Sequence, residues 1–413
     1  MSIKRLAVLP LATAIGTAFA SGFALQNQSG AGNGNAYAGA AAVAEDASTV
    51  YFNPAGMTRL PEGHSLSLGL TFLDRTVRFR DKGTARLPGI ALLGSDGANP
   101  GGLSRIPVGY WSYAVSPELR LGAGVSPTFG NKSQYEDDFV GRYAGYYADL
   151  KFINYNLSAA YRVNDWLSVG GGINRVTGQV EFRQGVVVGA GQSSIYTLAG
   201  SGNAWAYNLG TQLQLAPATR LGITFRSQAR FDLEGTGDVQ ARSITPIKAQ
   251  LNLPSSYSFA LSHQLDDRLE LLADAGRTNW SSIQSLVVYN KHTSAFVTAL
   301  GYRFKDTWRY GLGGNYRLND AWKLRAGVAL DKTPVQSPAD RTMTLPDSDR
   351  KWLSVGARWT VSKAASVDFG YSRIFFSGAP TERVAATAAG NQTVLGEFKA
   401  SADLYSLQYN HNF

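Results

Sequence analysis

Few side chains in this sequence are placed to do covalent chemistry. There are four histidines, His64, His263, His292 and His411, and no cysteine. No HExxH motif and no Cys/His cluster offers a metal site. Ser262-His263 suggests a nucleophile beside its base, but neighbours on a strand point to opposite faces and cannot form a dyad with each other. The glycines Gly30, Gly32 and Gly34 do not make a dinucleotide loop, because no strand precedes them and no suitable helix follows. The chain therefore reads as a non-enzyme without metal or cofactor. What remains is recognition chemistry. A carboxylate buried among apolar groups needs a cation or several donors, and Arg309, Arg317, Lys323 and Arg325 are candidates for that role. Lining a solvated interior is the ordinary use of such positions.

These cations lie on the polar side of alternating strands. In Trp322 to Leu330, Trp322, Leu324, Ala326, Val328 and Leu330 alternate with Lys323, Arg325, Gly327 and Ala329. Ile153 to Val163 and Trp308 to Leu318 repeat the pattern, and Val367, Phe369 and Tyr371 alternate with Asp368, Gly370 and Ser372. One face is apolar with aromatics near the ends, and the other is polar and charged. A soluble β-sandwich also alternates, but its strands are usually 5–6 residues long, and these run to about ten or more, as membrane barrel strands do. Tight turn signals stand at Ser116-Pro117-Glu118, Asn164-Asp165, Pro217-Ala218, Asp266-Asp267, Asn319-Asp320 and Ser362-Lys363. Longer polar connectors fall near 81–103, 130–148, 185–202, 235–246, 290–302, 332–349 and 378–394. Thirteen connections of alternating length give fourteen strands, the short-turn, long-loop arrangement of outer-membrane barrels.

Composition agrees. Charged residues are 17% of the chain, below the roughly 25% usual in soluble domains. The net charge of +9 comes without a Lys/Arg run, which argues against nucleic acid and for a solvated or lipid-facing surface, the lipid then being the phosphate-bearing outer leaflet. Without cysteine, the framework must be hydrogen-bonded. Residues 1–20 carry Lys4 and Arg5, an apolar run and Ala18-Phe19-Ala20, the order of a signal peptide. Residues 21–60, rich in Gly, Ala, Ser and Asn, read as a plug, and 61–413 as the barrel wall around it. Tyr405, Leu407, Tyr409, His411 and Phe413 end the chain in the manner of a C-terminal signal read by barrel assembly machinery.

Several stretches resemble the FadL family of outer-membrane transporters of long-chain fatty acids, which includes hydrocarbon importers of the TodX type. Gly22-Phe23-Ala24-Leu25 with Gly34-Asn35-Ala36-Tyr37-Ala38-Gly39 is similar to the family's mature N-terminus. Glu45-Asp46-Ala47-Ser48 through Asn53-Pro54-Ala55 is similar to its hatch. Asp306 to Tyr310, Leu324 to Val328, Asp331 to Val335, Arg341-Thr342, Leu345-Pro346-Asp347 and Asp349 to Trp352 add further matches in order. The resemblance implies a monomeric all-β, fourteen-stranded antiparallel transmembrane barrel with an N-terminal hatch in its lumen. It implies capture of a hydrophobic small molecule at outer loops, binding in the lumen, and lateral release into the outer-membrane lipid at a kinked third strand. Fatty acids and aromatic or aliphatic hydrocarbons are the two substrate classes. An aqueous porin or a lipid hydrolase are the remaining alternatives.

From this we expect Asn53, Pro54 and Ala55 in the hatch and Phe23, Arg309 and Arg325 at the substrate in the lumen. Phe139, Val140 and Tyr143, in the connector 131–148, have the spacing of a short amphipathic helix and are expected at the outer groove. Gly122, Gly124 and Pro127 are expected at the lateral opening. Glycine weakens a strand interior, and Pro127 cannot donate to the ladder in a barrel that has no edge.

Overall fold

Hydrogen-bond pairing turns the alternation into a closed wall. The structure is a computed structural model that describes residues 22–87, 94–188, 192–240 and 243–413; the expected signal peptide, 1–20, lies outside them. Fourteen antiparallel strands follow in chain order. They are β1 (His64–Asp81), β2 (Gly102–Ala114), β3 (Leu119–Gln134), β4 (Tyr147–Arg162), β5 (Leu167–Val188) and β6 (Gln192–Ala216). Then come β7 (Thr219–Arg226, continued by Ala229–Val239), β8 (Ser243–Leu253 and Ser256–Gln264), β9 (Leu269–Thr278 and Ser285–Asn290) and β10 (Phe296–Gly301 and Thr307–Arg317). The last are β11 (Trp322–Asp331), β12 (Arg350–Thr360), β13 (Ala365–Phe376 and Ala379–Thr387) and β14 (Gly390–Asn412). Each pairs with its neighbour in sequence, and β14 closes on β1 with Leu407 opposite Leu70 and Tyr405 opposite Phe72.

The wall is inverted relative to a soluble protein. On β10, β11 and β12 the outward leucines are bare, Leu312 at 62%, Leu324 at 41% and Leu353 at 53% exposure, while the inward Arg325 is 3% exposed. Leaving a leucine in water forgoes about 1.5–3 kcal/mol, so a belt of them requires lipid as its solvent. One end of the barrel is trimmed by short turns in which a side chain accepts backbone N–H groups. Asn164 Oδ1 takes Trp166 and Leu167, Asp266 Oδ1 takes Arg268 and Leu269, and Asn319 Oδ1 takes Ala321 and Trp322.

The other end departs from the expected loops. Most of 185–202, 235–246 and 378–394 is strand, not connector. These hairpins rise past the apolar belt, where the outward side chains no longer need to be apolar but the backbone ladder continues. The helix expected in 131–148 is also absent. Residues up to Gln134 extend β3, β4 resumes at Tyr147, and a single 3-10 turn, Arg142–Ala144, lies between. Gly145, at φ +120, ends that turn.

Strands β7 to β10 are all interrupted at one level, at 227–228, 254–255, 279–284 and 302–306. Pro254, which has no N–H to donate, sits in this line. Trp280 occupies a short 3-10 turn there (Trp280–Ser282) and is fully buried. It packs at ring distances of 5.2 Å from Phe23 and 5.8 Å from Phe304. With Phe152, Phe231, Leu251 and Leu345 these rings form the main apolar cluster inside the barrel, on the long-loop side.

Candidate functional site

Residues 22–60 run inside the wall. Three one-turn helices, Gly30–Asn33, Ala40–Val43 and Thr49–Phe52, and a 3-10 segment, Pro54–Arg59, are too short to be stable alone. Side-chain caps and the wall hold them. Ser29 Oγ accepts from Gly32 N–H, and Asn53 Oδ1 from Ala55 N–H at 3.1 Å. Asn53 Nδ2 donates to Ala41 O at 2.7 Å and to Thr211 O on β6 at 3.1 Å. The wall meets the segment with glycine. A Cβ at Gly222 would strike the Ala41 carbonyl, one at Gly327 the Asn35 carbonyl, and one at Gly370 the Gly30 carbonyl. Backbone thus packs on backbone, which only residues without side chains allow.

A buried ionic network fastens the middle of this segment to β11, β12 and β13. Glu45 bonds Lys323 at 2.9 Å, Arg325 at 2.6 Å and Arg358 at 3.3 Å. Asp46 bonds Arg358 at 3.1 Å, and Asp368 bonds both Arg325 at 3.0 Å and Arg358 at 2.7 Å. Three carboxylates face three cations, so the charge closes within the cluster. Burial opposes the charge on Glu45, yet Arg325, Arg358 and Lys323 together hold its carboxyl well below the usual range. Burial pushes Asp46 up; Arg358 offsets this in part, and Asp368 and Glu45 add to the rise.

The wall parts between β2 and β3. Their pairing runs from Ala114–Arg120 to Gly109–Val125 and stops there. Above it β2 remains paired to β1 and β3 to β4, with Thr128 as an extra residue between Pro127 and Phe129. The chain's own N-terminal stretch covers the freed edge of β3. Ala24 bridges Phe129, Leu25 N–H donates to Thr128 O, and Gly130 N–H donates to Phe23 O, both at 2.8 Å. Gln28 spans the two sides. Its Nε2 donates to Pro127 O at 2.6 Å and Leu25 O at 3.1 Å, and its Oε1 accepts from Tyr110 O–H on β2 at 2.9 Å. Outside the same place, a cavity of about 590 Å³ opens toward lipid among Leu68, Gly109, Trp111, Val125 and Leu157.

A second cavity, of about 140 Å³, lies between the N-terminal segment and β6–β11. Ala24, Tyr37 and Tyr51 line it from within, and Phe129, Asn208, Arg226, Asp274 and Arg309 from the wall.

The expected residues are placed as follows. Phe23 is buried between Phe129 at 5.8 Å and Trp280. Arg309 and Arg325 do face the lumen, but both are neutralised, Arg309 by Asp274 at 3.1 Å and Arg325 by Glu45 and Asp368. Arg317 is exposed at the short-turn rim, bonded to Asp267 O, and does not line the interior. Phe139, Val140 and Tyr143 are buried; Phe139 stacks on Tyr135 at 4.1 Å. Gly122 and Gly124 are still paired, to Ser112 and Tyr110, below the break, and their missing side chains make room for Val50 and Met57 and for the Tyr110 ring. Pro127 stands at the break. Ser262 and His263 point apart, to Glu270 and Thr219 respectively. Gln28, Thr128, Arg226 and the inward glycines escaped sequence reasoning. Strand parity alone points the glycines inward, and that was the available signal.

A β-barrel inverted for lipid, with a chain segment filling its lumen, defines the class as an outer-membrane barrel of the transporter type. The family model for outer membrane protein transport proteins (OMPP1/FadL/TodX) matches residues 11–413, and the chain belongs to that family. It is 30% identical to outer membrane protein P1 of Haemophilus influenzae over 97% of each chain. It is 29% identical to the long-chain fatty acid transport protein of Escherichia coli K12, covering 86% of this chain and 88% of that one. A Pseudomonas aeruginosa FadL homologue superposes with a TM-score of 0.89 at 22% identity, over 95% of this chain and all of the other. The Ralstonia pickettii toluene transporter TbuX gives 0.68 at 20% identity, over 93% and 98%. Members of this family are transporters of the outer membrane, not enzymes.

Proposed function

We propose that this chain takes up long-chain fatty acids, holding them in the lumen and releasing them sideways into the membrane. The observation that carries the reading is the break between β2 and β3, where the N-terminal stretch covers the freed edge of β3 beside Pro127. An unpaired ladder facing lipid is unfavourable unless protein or water covers it. Here the cover is three residues of a separate segment, which can leave without unpicking the wall. An apolar molecule gains by passing from such a gap straight into lipid.

In this reading residues 1–20 are removed on export, 21–60 with Asn53, Pro54 and Ala55 form the hatch, and 61–413 form the barrel. Phe139, Val140 and Tyr143 shape the outer entry, Phe23 contacts the substrate in the lumen, and Pro127 with the Gly122–Gly124 stretch sets where the wall opens. Phe413, exposed at the C-terminus, is the address for the assembly machinery, and the barrel works as a monomer.

The chain has no cysteine, so a disulfide can be placed cleanly. Ala24 and Phe129 are bridge partners, within the Cα separation a disulfide spans. Ala24→Cys with Phe129→Cys should stop uptake of labelled oleate by whole cells when oxidised and restore it on reduction. Uptake that ignores the redox state would refute lateral release. Uptake of toluene but not of oleate by the unmodified protein would assign the hydrocarbon class instead.

A further inference from the structure

The cavity beside β6–β11 holds three arginines, and their partners differ in kind. Arg309 is paired with Asp274, and Arg277 with Asp306 at 3.0 Å. Among the described residues Arg226 meets neutral acceptors, Asn174 Oδ1 at 3.3 Å and Tyr51 O at 3.0 Å, and its guanidinium lies 4.3 Å over the Tyr51 ring. Among the described residues no carboxylate lies within ion-pair distance of it. A guanidinium carries five N–H donors in a fork matched to a carboxylate, so donors remain for a ligand. A cation held inside a barrel without a counter-charge is unfavourable, and an incoming anion relieves it.

The surroundings set the rest of the ligand. The cavity, of about 140 Å³, is several times the space one water requires and accommodates a carboxylate head. Phe129 lines the cavity and also packs on Phe23 and on Trp280, at 6.1 Å from the latter. It joins the charged end to the main apolar cluster. One cation without a carboxylate partner at one end and aromatic and aliphatic surface beyond it fit an amphiphile with one anionic head.

We propose that Arg226 is the receptor for the substrate carboxylate in the lumen, a role that rests on the fatty-acid reading above. Arg309 and Arg325 are unsuited to it because each already has a carboxylate. Binding to Arg226 makes the site selective for free acids over neutral hydrocarbons and esters of the same length.

The test uses the purified full barrel in detergent, with oleic acid and methyl oleate as probes. Arg226→Gln should weaken oleic acid about 10- to 100-fold, as the loss of a charge-assisted bond does, and leave methyl oleate unchanged. Arg226→Lys should recover most of the acid binding. Equal weakening of both probes would overturn the assignment, showing that Arg226 only packs against Tyr51. Unchanged acid binding in Arg226→Gln would overturn it too, while leaving the transport reading intact. Unmodified protein that binds neither probe would refute the fatty-acid reading itself, and this assignment with it.

Discussion

Among the attachments of the N-terminal segment to the barrel, two are unlike in kind. The segment's middle, at Glu45 and Asp46, is tied to β11 and β12 by four ion pairs, and two more, from Arg325 and Arg358 to Asp368 on β13, close the charge cluster. Its start, at Phe23 to Gln28, touches β3 through two backbone bonds and one bridging side chain. The first attachment fails badly when one of its cations is lost, because the carboxylates stay buried and uncompensated. The second is made of neutral bonds worth about 0.5–1.5 kcal/mol each. A segment bolted at one place and pinned at another can move its pinned end without leaving the lumen.

Breaking the bolt should therefore give the largest effect. Arg358→Gln removes the partner shared by Glu45, Asp46 and Asp368, leaving three carboxylates to two cations. Loss of one partner from a buried pair destabilises by about 3–5 kcal/mol. We expect proteolysis within residues 22–60 and measurable ion conductance in planar bilayers, while the barrel keeps its heat-modifiable migration. A variant that stays closed and protease-resistant would show that the network does not fasten the segment.

A change of pH probes the same bolt more gently. Glu45 has a folded pKa below its unfolded value near 4.5. Its contribution is full above the unfolded value and is lost as pH falls through the folded one. Asp46 is raised from 3.8, so its contribution has the opposite sign, present below the unfolded value and lost as pH rises through the folded one. The docked segment should then resist protease down to pH values below about 4.5. Asp46→Asn should slow cleavage at neutral pH, and Glu45→Gln should speed it. Faster cleavage in Asp46→Asn would reverse the sign assigned to that carboxyl.

How much of this was visible beforehand follows from what a strand period encodes. Parity put Arg309, Arg325 and Asp368 on the inner face, and the short turns with Asn164, Asp266 and Asn319 fixed the strand number. Parity says nothing about partners across the lumen. Glu45 and Arg325 are 280 positions apart in the chain, so a free cation and a neutralised one looked alike, and Arg226 drew no notice. The apolar pattern also ends where the lipid ends, which hid the upper parts of β5, β6 and β14 as apparent loops. The aromatic spacing in 131–148 imitated a helix because its rings fold inward to Phe79 and Tyr135, not because the backbone is helical.

The smallest effect should come from the pin. Gln28 is the side chain that touches both sides of the break, through Pro127 O on β3 and Tyr110 O–H on β2. Gln28→Ala leaves those groups without that partner and removes the bond to Leu25 O, three neutral bonds for a loss of about 1.5–4.5 kcal/mol, or at least roughly tenfold in an opening equilibrium. The amides that report on the pin are Leu25, bonded to Thr128 O, and Gly130, bonded to Phe23 O. Their hydrogen exchange should quicken by about that factor. The amide of Ala47, which donates to Ser67 Oγ beside the ionic cluster, should keep its rate. Equal acceleration at Leu25, Gly130 and Ala47 would mean that the segment opens as one unit, and the distinction between a fixed middle and a releasable end would be lost.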